Sequence, residues 1–382
     1  MRILIAQGGG PTAVINQSLV GAILEAKKNN FEIWGARNGI KGIVKEAFVP
    51  LHSLDNAKLM RVAETPASAL GSTRDKPDEA YCEHILKVLK KNDIRAFLYI
   101  GGNDSSETID IILKFAAKDG YEMKGFHIPK TVDNDLMEND HCPGFPSAAR
   151  FVAKASLGVN LDNASLPGIH LLVMMGRHAG FLTTAAALGG AHLIYPPEYT
   201  FDLESFANDV QVTFEKHGRA VVGISEGVSA SDGEPIITKF VQKEIDDHGN
   251  VRLSGLPLGD LLANFLKKKL GISRVRQDTL GYPQRCYPDV NMVDREEAAE
   301  VGRLAVGHIV ENRRQSGSIT INRVSDKPYK AKFGIVDLQK VAGKTRKLPQ
   351  EYYDPTTKTV TKAGVEYLRP LVGDMPMIEK LS

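Results

Sequence analysis

Short runs of consecutive apolar residues alternate along this chain with segments whose apolar residues recur at helical spacing. Ile3-Leu4-Ile5-Ala6 is the first run, and three glycines follow it. From Ile15 to Lys28 the positions Ile15, Leu19, Ala22, Ile23 and Ala26 share one face, which predicts a helix. Residues 31–36 predict the next strand. Cys82, Ile85, Leu86 and Leu89 stand at i, i+3, i+4 and i+7 of a second amphipathic helix. Ala96-Phe97-Leu98-Tyr99-Ile100 is continuous again and runs into Gly101-Gly102. The helix predicted after it turns Ile109, Ile112, Leu113 and Ala116 inward. The second half repeats the theme, with strands at Ile169–Met174 and 219–224 and helices at 179–188, 201–217, Leu258–Leu270 and 296–312. Strands that alternate with helices form βαβ units, and strands covered on both faces read as unbroken apolar runs, so a parallel, doubly wound α/β sheet is expected. The stretch after Lys340 is polar and is expected to lie over the surface.

Composition narrows the class of protein. A chain of 382 residues allows about two or three domains. With 42% hydrophobic and 25% charged residues it is a folding sequence rather than a disordered one. Lys and Arg number 48 against 46 Asp and Glu, a net charge of +2, and no block of five like charges occurs. Neither nucleic acid nor a membrane surface is therefore an expected partner, although a local basic pocket remains open. Cys82, Cys142 and Cys286 lie far apart without a Cys-x-x-Cys spacing, which excludes a disulfide framework and a cysteine zinc site and fits a reducing compartment. The apolar run Leu171–Met175 is too short to span a bilayer. The N-terminus is broken at once by Gly8-Gly9-Gly10-Pro11 and lacks a signal-peptide layout. A cytoplasmic protein is expected.

The candidate chemistry begins at the glycines. Gly8-Gly9-Gly10 and Gly101-Gly102 each end a predicted strand and open a helix. Such turns let backbone N–H groups approach a phosphate at the positive end of the helix dipole. One cluster alone could be a tight turn that binds nothing. Two, with the carboxylates that follow, favour phosphate. Gly343-Lys344-Thr345 mimics the end of a nucleotide loop, but Leu338 stands where its first glycine must be, and there is no Gly-x-Gly-x-x-Gly. The segment Pro129-Lys130-Thr131-Val132-Asp133-Asn134-Asp135 places two carboxylates at i and i+2, on one side of an extended backbone, beside a lysine. One carboxylate can accept a hydroxyl proton while the other orients a metal or a donor group, and the lysine neutralises phosphate charge. A solvated polar loop is the alternative. Arg177 and Glu226 end two predicted strands, and Arg276 and Arg285 flank Leu280-Gly281-Tyr282-Pro283-Gln284. Arginine forks suit phosphate, and a glutamate accepts from sugar hydroxyls.

Taken together and in this order, these motifs resemble the phosphofructokinase family from Gly9 to about Arg295. The tail motif Tyr367-Leu368-Arg369-Pro370-Leu371-Val372-Gly373 resembles that of pyrophosphate-using members. The resemblance implies an α/β fold of two doubly wound three-layer lobes with mainly parallel sheets and the active site in the cleft between them. The donor lobe would be 1–143 with roughly 290–340, the sugar-phosphate lobe 144–289, and 341–382 a tail packing on the surface. It implies that Asp133 is the base for the sugar 1-hydroxyl, acting with Lys130 and Arg177. Thr131 and Asp135 would lie beside the substrate. Met175, Gly176, Arg177 and Glu226 match sugar contacts. Arg276, Tyr282 and Arg285 match positions around the 6-phosphate, some of them crossing a subunit interface, so a homodimer or homotetramer is implied. Gly10, Arg74 and Gly102 match donor contacts.

The resemblance also bears on the donor. Members that use ATP have glycines where this chain has Asp104 and Lys130. An aspartate there would crowd and repel the α-phosphate of a nucleotide, and a lysine would contact the terminal phosphate of a smaller donor. The implied reaction moves a phosphoryl group from pyrophosphate to fructose 6-phosphate, with magnesium (Mg2+) held near Asn103 and Asp104. ATP as donor stays the alternative. A non-catalytic sugar-phosphate-binding subunit is disfavoured, because Asp133, Asp135, Arg177 and Glu226 are all present. Two departures stand out. Asn103 occupies a position where many members have an aspartate near the metal, so one ligand charge is missing. Gly168 stands about where ATP-using members carry a phosphate-binding arginine, which keeps other sugar phosphates, such as sedoheptulose 7-phosphate, open.

Overall fold

The structure is a computed structural model, and it describes residues 1–240, 244–245, 251–252, 257–312 and 314–379. The chain forms two compact units, Met1–Ala148 with Arg285–Arg346 and Ala149–Gln284 with Lys347–Ser382.

The first unit is built on a seven-stranded sheet in the order Tyr329–Val336, Ser316–Asp326, Lys124–Pro129, Ile94–Gly101, Arg2–Gln7, Glu32–Ala36, Phe48–Pro50. The inner strands run parallel, with Ile5 opposite Leu98 and Leu98 opposite Phe126, and only the two edge strands are antiparallel. Alternate side chains of the central strands serve two cores, as the strand period requires. Ile3, Ile5, Leu98, Ile100, Phe126 and Ile128 pack on the helices Ile15–Lys28 and Met292–Glu311. Leu4, Ala6, Phe97 and Tyr99 pack on Glu79–Lys91 and Asn103–Lys118. The first two helices meet at glycines: a Cβ on Gly21 would collide with the Ala299 carbonyl, and one on Gly302 with that of Ser18.

The second unit holds a wholly parallel four-stranded sheet in the order Val275–Thr279, Ile169–Met174, Ala220–Ser225, Leu193–Tyr195. Leu171, Val173, Val222 and Ile224 join Phe206, Val210, Leu262 and Leu266 of the helices Leu203–His217 and Leu258–Leu270 in its core. Among the described residues no helix is long and apolar enough to cross a membrane.

The expected helices Ile15–Lys28 and Leu258–Leu270 and the strand Ile169–Met174 occur with those bounds. The helix expected at 201–217 starts at Leu203, because the Asp202 carboxylate caps it by accepting from the Ser205 N–H at 2.8 Å. The one expected at 179–188 is a single α-turn pair, Phe181–Ala185, that tightens into a 3₁₀ stretch ending at Gly189. The 21-residue helix Phe145–Ser165 and the antiparallel pair Ser316–Asp326 and Tyr329–Val336 have no counterpart in the sequence reading. The helix buries mostly small residues, Ala148, Ala149, Ala153 and Ser156, beside Phe145 and Val152, and the outer strand is half-exposed along most of its length. The C-terminal stretch carries a helix that the sequence reading did not name. This helix, Lys362–Val372, packs one face on the second unit, burying Tyr367, Leu368, Leu371 and Val372, and Tyr353 is buried as well. Its three charged residues, Lys362, Glu366 and Arg369, interrupt the apolar ones in sequence, but Tyr367, Leu368, Leu371 and Val372 are buried together.

Candidate active site

In the first unit the loop after Arg2–Gln7 is held from both sides. The buried Gln7 side chain donates to Asn16 Oδ1 (3.0 Å) and accepts from the Leu70 N–H (3.0 Å). Asn16 in turn donates to the Thr65 carbonyl at 2.8 Å and accepts from the Ala69 N–H at 2.9 Å. The Gly9 N–H donates to the Thr73 carbonyl (2.9 Å), and the Ser72 hydroxyl donates to the Gly9 carbonyl (2.6 Å). Gly9 has φ +72°, a conformation that favours glycine. These bonds pin residues 70–74, and with them Arg74, to the glycine loop.

Lys130 reaches the same loop from the strand Lys124–Pro129. Its N–H donates to the Gly101 carbonyl (3.0 Å), which also accepts from His127 Nε2 (2.9 Å). The other His127 nitrogen pairs with the Ser318 hydroxyl at 2.8 Å, and burial lowers this histidine to about 4, so the imidazole stays neutral. Lys130 Nζ donates to the Gly10 carbonyl at 2.7 Å. Lys130 is only 4% exposed. Its pKa falls to about 8, first through burial and then through the Arg285 charge, with Arg74 adding a smaller push and Asp133 and Asp135 opposing. Arg285 packs directly on the loop: a Cβ on Gly10 would stand 2.9 Å from the guanidinium carbon. Lys130, Arg285, Arg74 and the half-buried Gly9 and Gly10 thus gather at one turn. Three cations at one turn, with Asp133 and Asp135 nearby, suit an anionic ligand.

The acidic segment follows. Thr131, Asp133 and Asp135 are half-buried, while Val132, Asn134 and Leu136 are buried. The two carboxylates therefore share the accessible side, as their spacing predicts. The backbone is not fully extended, however. Asn134 has φ +61° because its side chain turns inward, and its Oδ1 accepts from the Cys142 N–H at 2.9 Å. The Thr131 hydroxyl donates to Asp135 Oδ1 (3.0 Å) and accepts from the Asp133 N–H (3.1 Å), which fixes the turn. The Arg346 N–H donates to the Asp135 carbonyl at 2.7 Å.

Gly102 precedes the helix Asn103–Lys118, and a side chain on it would meet no atom within 4 Å. Asn103 Oδ1 accepts from the Asp104 N–H at 2.8 Å, and Asn103 Nδ2 donates to the Lys344 carbonyl at 3.1 Å. Asp104 is exposed and pairs with Lys76 at 3.1 Å, and Lys76 also reaches Glu107 at 3.7 Å. Lys76 has no counterpart in the sequence reading, and nothing in its spacing signals the pair. Gly343-Lys344-Thr345 is a turn with no helix behind it.

A buried ionic network adjoins this segment, and sequence reasoning missed it. His141 lies between Asp140 (2.7 Å) and Glu297 (2.5 Å), and the Tyr329 hydroxyl donates to Glu297 at 2.6 Å. Burial works against a charge on His141, but its bonds to Asp140 and Glu297 outweigh it and raise the pKa. Asp294 accepts from the Gly144 N–H (2.8 Å), the Ser147 N–H (3.0 Å) and the Ser147 hydroxyl (2.6 Å), and burial pushes it up to about 6. It thereby fixes the start of the helix Phe145–Ser165. A usable signal is the run His141-Cys142-Pro143-Gly144-Phe145, which puts a histidine six residues after Asp135 and next to Asp140.

The second unit gathers Met175, Gly176, Arg177 and Glu226. Gly176 has φ +121° at the end of Ile169–Met174, and a Cβ there would stand 2.5 Å from the Ala179 carbonyl. The Ser225 hydroxyl donates to the Gly176 carbonyl (2.7 Å) and accepts from the Gly227 N–H (3.0 Å), and the Glu226 N–H donates to the Met174 carbonyl (2.8 Å). Met175 is buried, with its N–H bonded to Gln284 Oε1 at 3.3 Å, whereas Arg177 and Glu226 are exposed from adjacent strand ends. Arg276 is not with them. It pairs in register with His170, four residues before Met174, so it stands roughly 13 Å away at about 3.3 Å per residue. Tyr282 is exposed after the Leu280 N–H has bonded the Val173 carbonyl at 2.9 Å. Gly168 has no room for a side chain, because the Arg274 side chain stands 2.7 Å from where its Cβ would be. An arginine that the sequence reading did not name therefore borders that position.

Residues 2–309 match the phosphofructokinase family. The chain is 53% identical to the pyrophosphate–fructose 6-phosphate 1-phosphotransferase of Rhodospirillum rubrum over 97% of its own length and 94% of that protein. It is 35% identical to the Xanthomonas campestris enzyme of the same name, covering 98% of this chain and 92% of that one. Its fold superposes on the crystal structure of the pyrophosphate-dependent phosphofructokinase from Nitrosospira multiformis with a TM-score of 0.87 and 32% identity, covering 100% of this chain and 94% of that one.

Proposed function

The chain belongs to the phosphofructokinase family, and on that premise we propose that it moves a phosphoryl group reversibly between pyrophosphate and the 1-hydroxyl of fructose 6-phosphate, giving fructose 1,6-bisphosphate and phosphate. The observation that carries the donor is the buried Lys130 ammonium on the Gly10 carbonyl, with Arg285 against the same glycine. Asp133 takes the hydroxyl proton as the sugar oxygen attacks. The bond from the transferred phosphorus to the bridging oxygen breaks, and the leaving phosphate keeps the electron pair. Lys130 and Arg74 stabilise the charge that gathers there. Arg285 lies against the donor loop, which supports giving it a donor role alongside the 6-phosphate role implied by the resemblance.

Thr131 orients Asp133 and Asp135. Met175, Gly176, Arg177 and Glu226 hold the sugar phosphate. Arg276 and Tyr282 serve the 6-phosphate, and the distance of Arg276 from Met175 favours its doing so for a partner protomer in a homodimer or homotetramer. Gly168 leaves the identity of the sugar phosphate as a second question, since the neighbouring Arg274 is a different arginine.

Enzymes of this family generally need a divalent metal. We propose magnesium. Asn103 and Asp104 supply an amide and a carboxylate oxygen, the one bonded to a helix N–H and the other to Lys76, so they do not form a cage by themselves. They fit an ion that keeps most of its water and rides on substrate phosphates, which is how magnesium binds. It would neutralise phosphate charge. The location proposed is the cytoplasm, in keeping with Cys82, Cys142 and Cys286 as free thiols.

The test is phosphorus NMR of purified protein with fructose 6-phosphate, pyrophosphate and magnesium. Loss of the diphosphate resonance with matching gain of orthophosphate and a sugar 1-phosphate is expected. No change in the diphosphate resonance would refute the reading.

A further inference from the structure

Beside the glycine loop a concave pocket of about 380 Å³ opens in the first unit, within the range of small-molecule sites. Arg37, Asn38, Lys41, Lys45, Thr73 and Arg74 line it, and neither a carboxylate nor an aromatic ring is part of its wall. Among the described residues no carboxylate lies within ion-pair distance of any of its four cations. Glu46, next to Lys45 in sequence, is taken instead by Lys91 (2.6 Å) and Asn92 (3.0 Å). Four like charges around one small concavity repel one another until an anion joins them.

The pocket is continuous in chain with the donor loop. Ser72 and Thr73 hydrogen-bond to Gly9, and Arg74 both lines the pocket and acts on the charge of Lys130. An anion reaching from Lys130 past Arg74 would thus meet Arg37, Lys41 and Lys45 next. A nucleoside would find no ring to stack on. A chain of phosphates needs none.

We propose that this pocket holds the outer phosphates of a linear inorganic oligophosphate, with tripolyphosphate the shortest, and that the enzyme uses such chains as phosphoryl donors. This rests on the phosphotransferase reading above. In the step, the sugar 1-oxygen bonds to the terminal phosphorus and its proton goes to Asp133. The bond from that phosphorus to the bridging oxygen breaks, and the electron pair leaves with a diphosphate.

The experiment compares pyrophosphate with tripolyphosphate freed of diphosphate by pyrophosphatase (the pyrophosphatase then removed), in the native enzyme and in Arg37→Ala/Lys41→Ala/Lys45→Ala. Native enzyme is expected to transfer from both donors. In the triple variant KM for tripolyphosphate should rise on the order of tenfold or more, as loss of charge-assisted contacts implies, with kcat and KM for pyrophosphate unchanged. Tripolyphosphate left unconsumed while pyrophosphate turns over would overturn this proposal alone, as would a tripolyphosphate KM that the triple variant does not move. Absence of turnover with pyrophosphate itself would instead sink the phosphotransferase reading.

Discussion

Lys130 Nζ lies 2.7 Å from the carbonyl oxygen of Gly10, which ties the end of the strand Lys124–Pro129 to the loop after Arg2–Gln7, across the intervening strand Ile94–Gly101. The bond holds a nearly buried ammonium beside Arg285, and burial first, then the Arg285 charge, lower its pKa to about 8. The charged form is the one that grips an inorganic anion. kcat/KM for pyrophosphate should therefore fall as pH rises through about 8 in the free enzyme, since deprotonation removes the cation. Lys130→Met should flatten that limb and lower kcat/KM by roughly 10² or more. A pH–rate profile of the two proteins decides; an unchanged alkaline limb in the variant would remove Lys130 from donor binding.

Asp133 shares its accessible side with Asp135, and its N–H donates to the Thr131 hydroxyl at 3.1 Å. Loss of a positioned base costs about 10²–10⁴ in rate. Asp133→Asn should lose that much kcat while its far-ultraviolet circular dichroism and thermal midpoint stay with those of the native protein. Near-normal turnover would assign the proton to another group.

Asp294 accepts three hydrogen bonds at the start of the helix Phe145–Ser165. Asp294→Ala leaves those donors buried without an acceptor, and each orphaned group costs about 1–3 kcal/mol. A drop of about 3 kcal/mol in urea-unfolding free energy is expected, with Asp294→Asn losing less. If the alanine variant unfolds at the native midpoint, the helix start is held by something else.

His141 gives a stability effect with a definite sign. Its folded pKa is raised above the usual histidine value by Asp140 and Glu297 against the cost of burial. The charged form therefore contributes stability that is fully present below about 6.5, the unfolded value, and is lost as pH rises through the folded one. Native protein should lose stability over that alkaline window, and His141→Asn should be less stable at low pH and lack that part of the slope. Parallel curves for the two proteins would contradict this.

Much of the fold was legible because parallel strands buried on both faces, such as Ile94–Gly101, are written as unbroken apolar runs. The helix Phe145–Ser165 was not, because alanines that pack against a close neighbour carry little amphipathic contrast. The C-terminal helix was hidden by its charged face. Within the site, the glycine turns and the Asp133–Asp135 pair could be read from local spacing alone. The contact of Arg285 with Gly10, the Lys76–Asp104 pair and the His141–Glu297 bond join residues that are 275, 28 and 156 positions apart. No window of sequence contains such pairs, so only the assembled sheet could place them.

A donor site shaped for an inorganic diphosphate should accept pyrophosphate and refuse a nucleotide. The most direct measurement is initial rate with fructose 6-phosphate and magnesium, using pyrophosphate and ATP side by side at matched concentrations. Pyrophosphate should support rapid transfer and ATP almost none, with ATP use emerging when Asp104 and Lys130 are both replaced by glycine. Rapid transfer from ATP and none from pyrophosphate in the native enzyme would contradict the account.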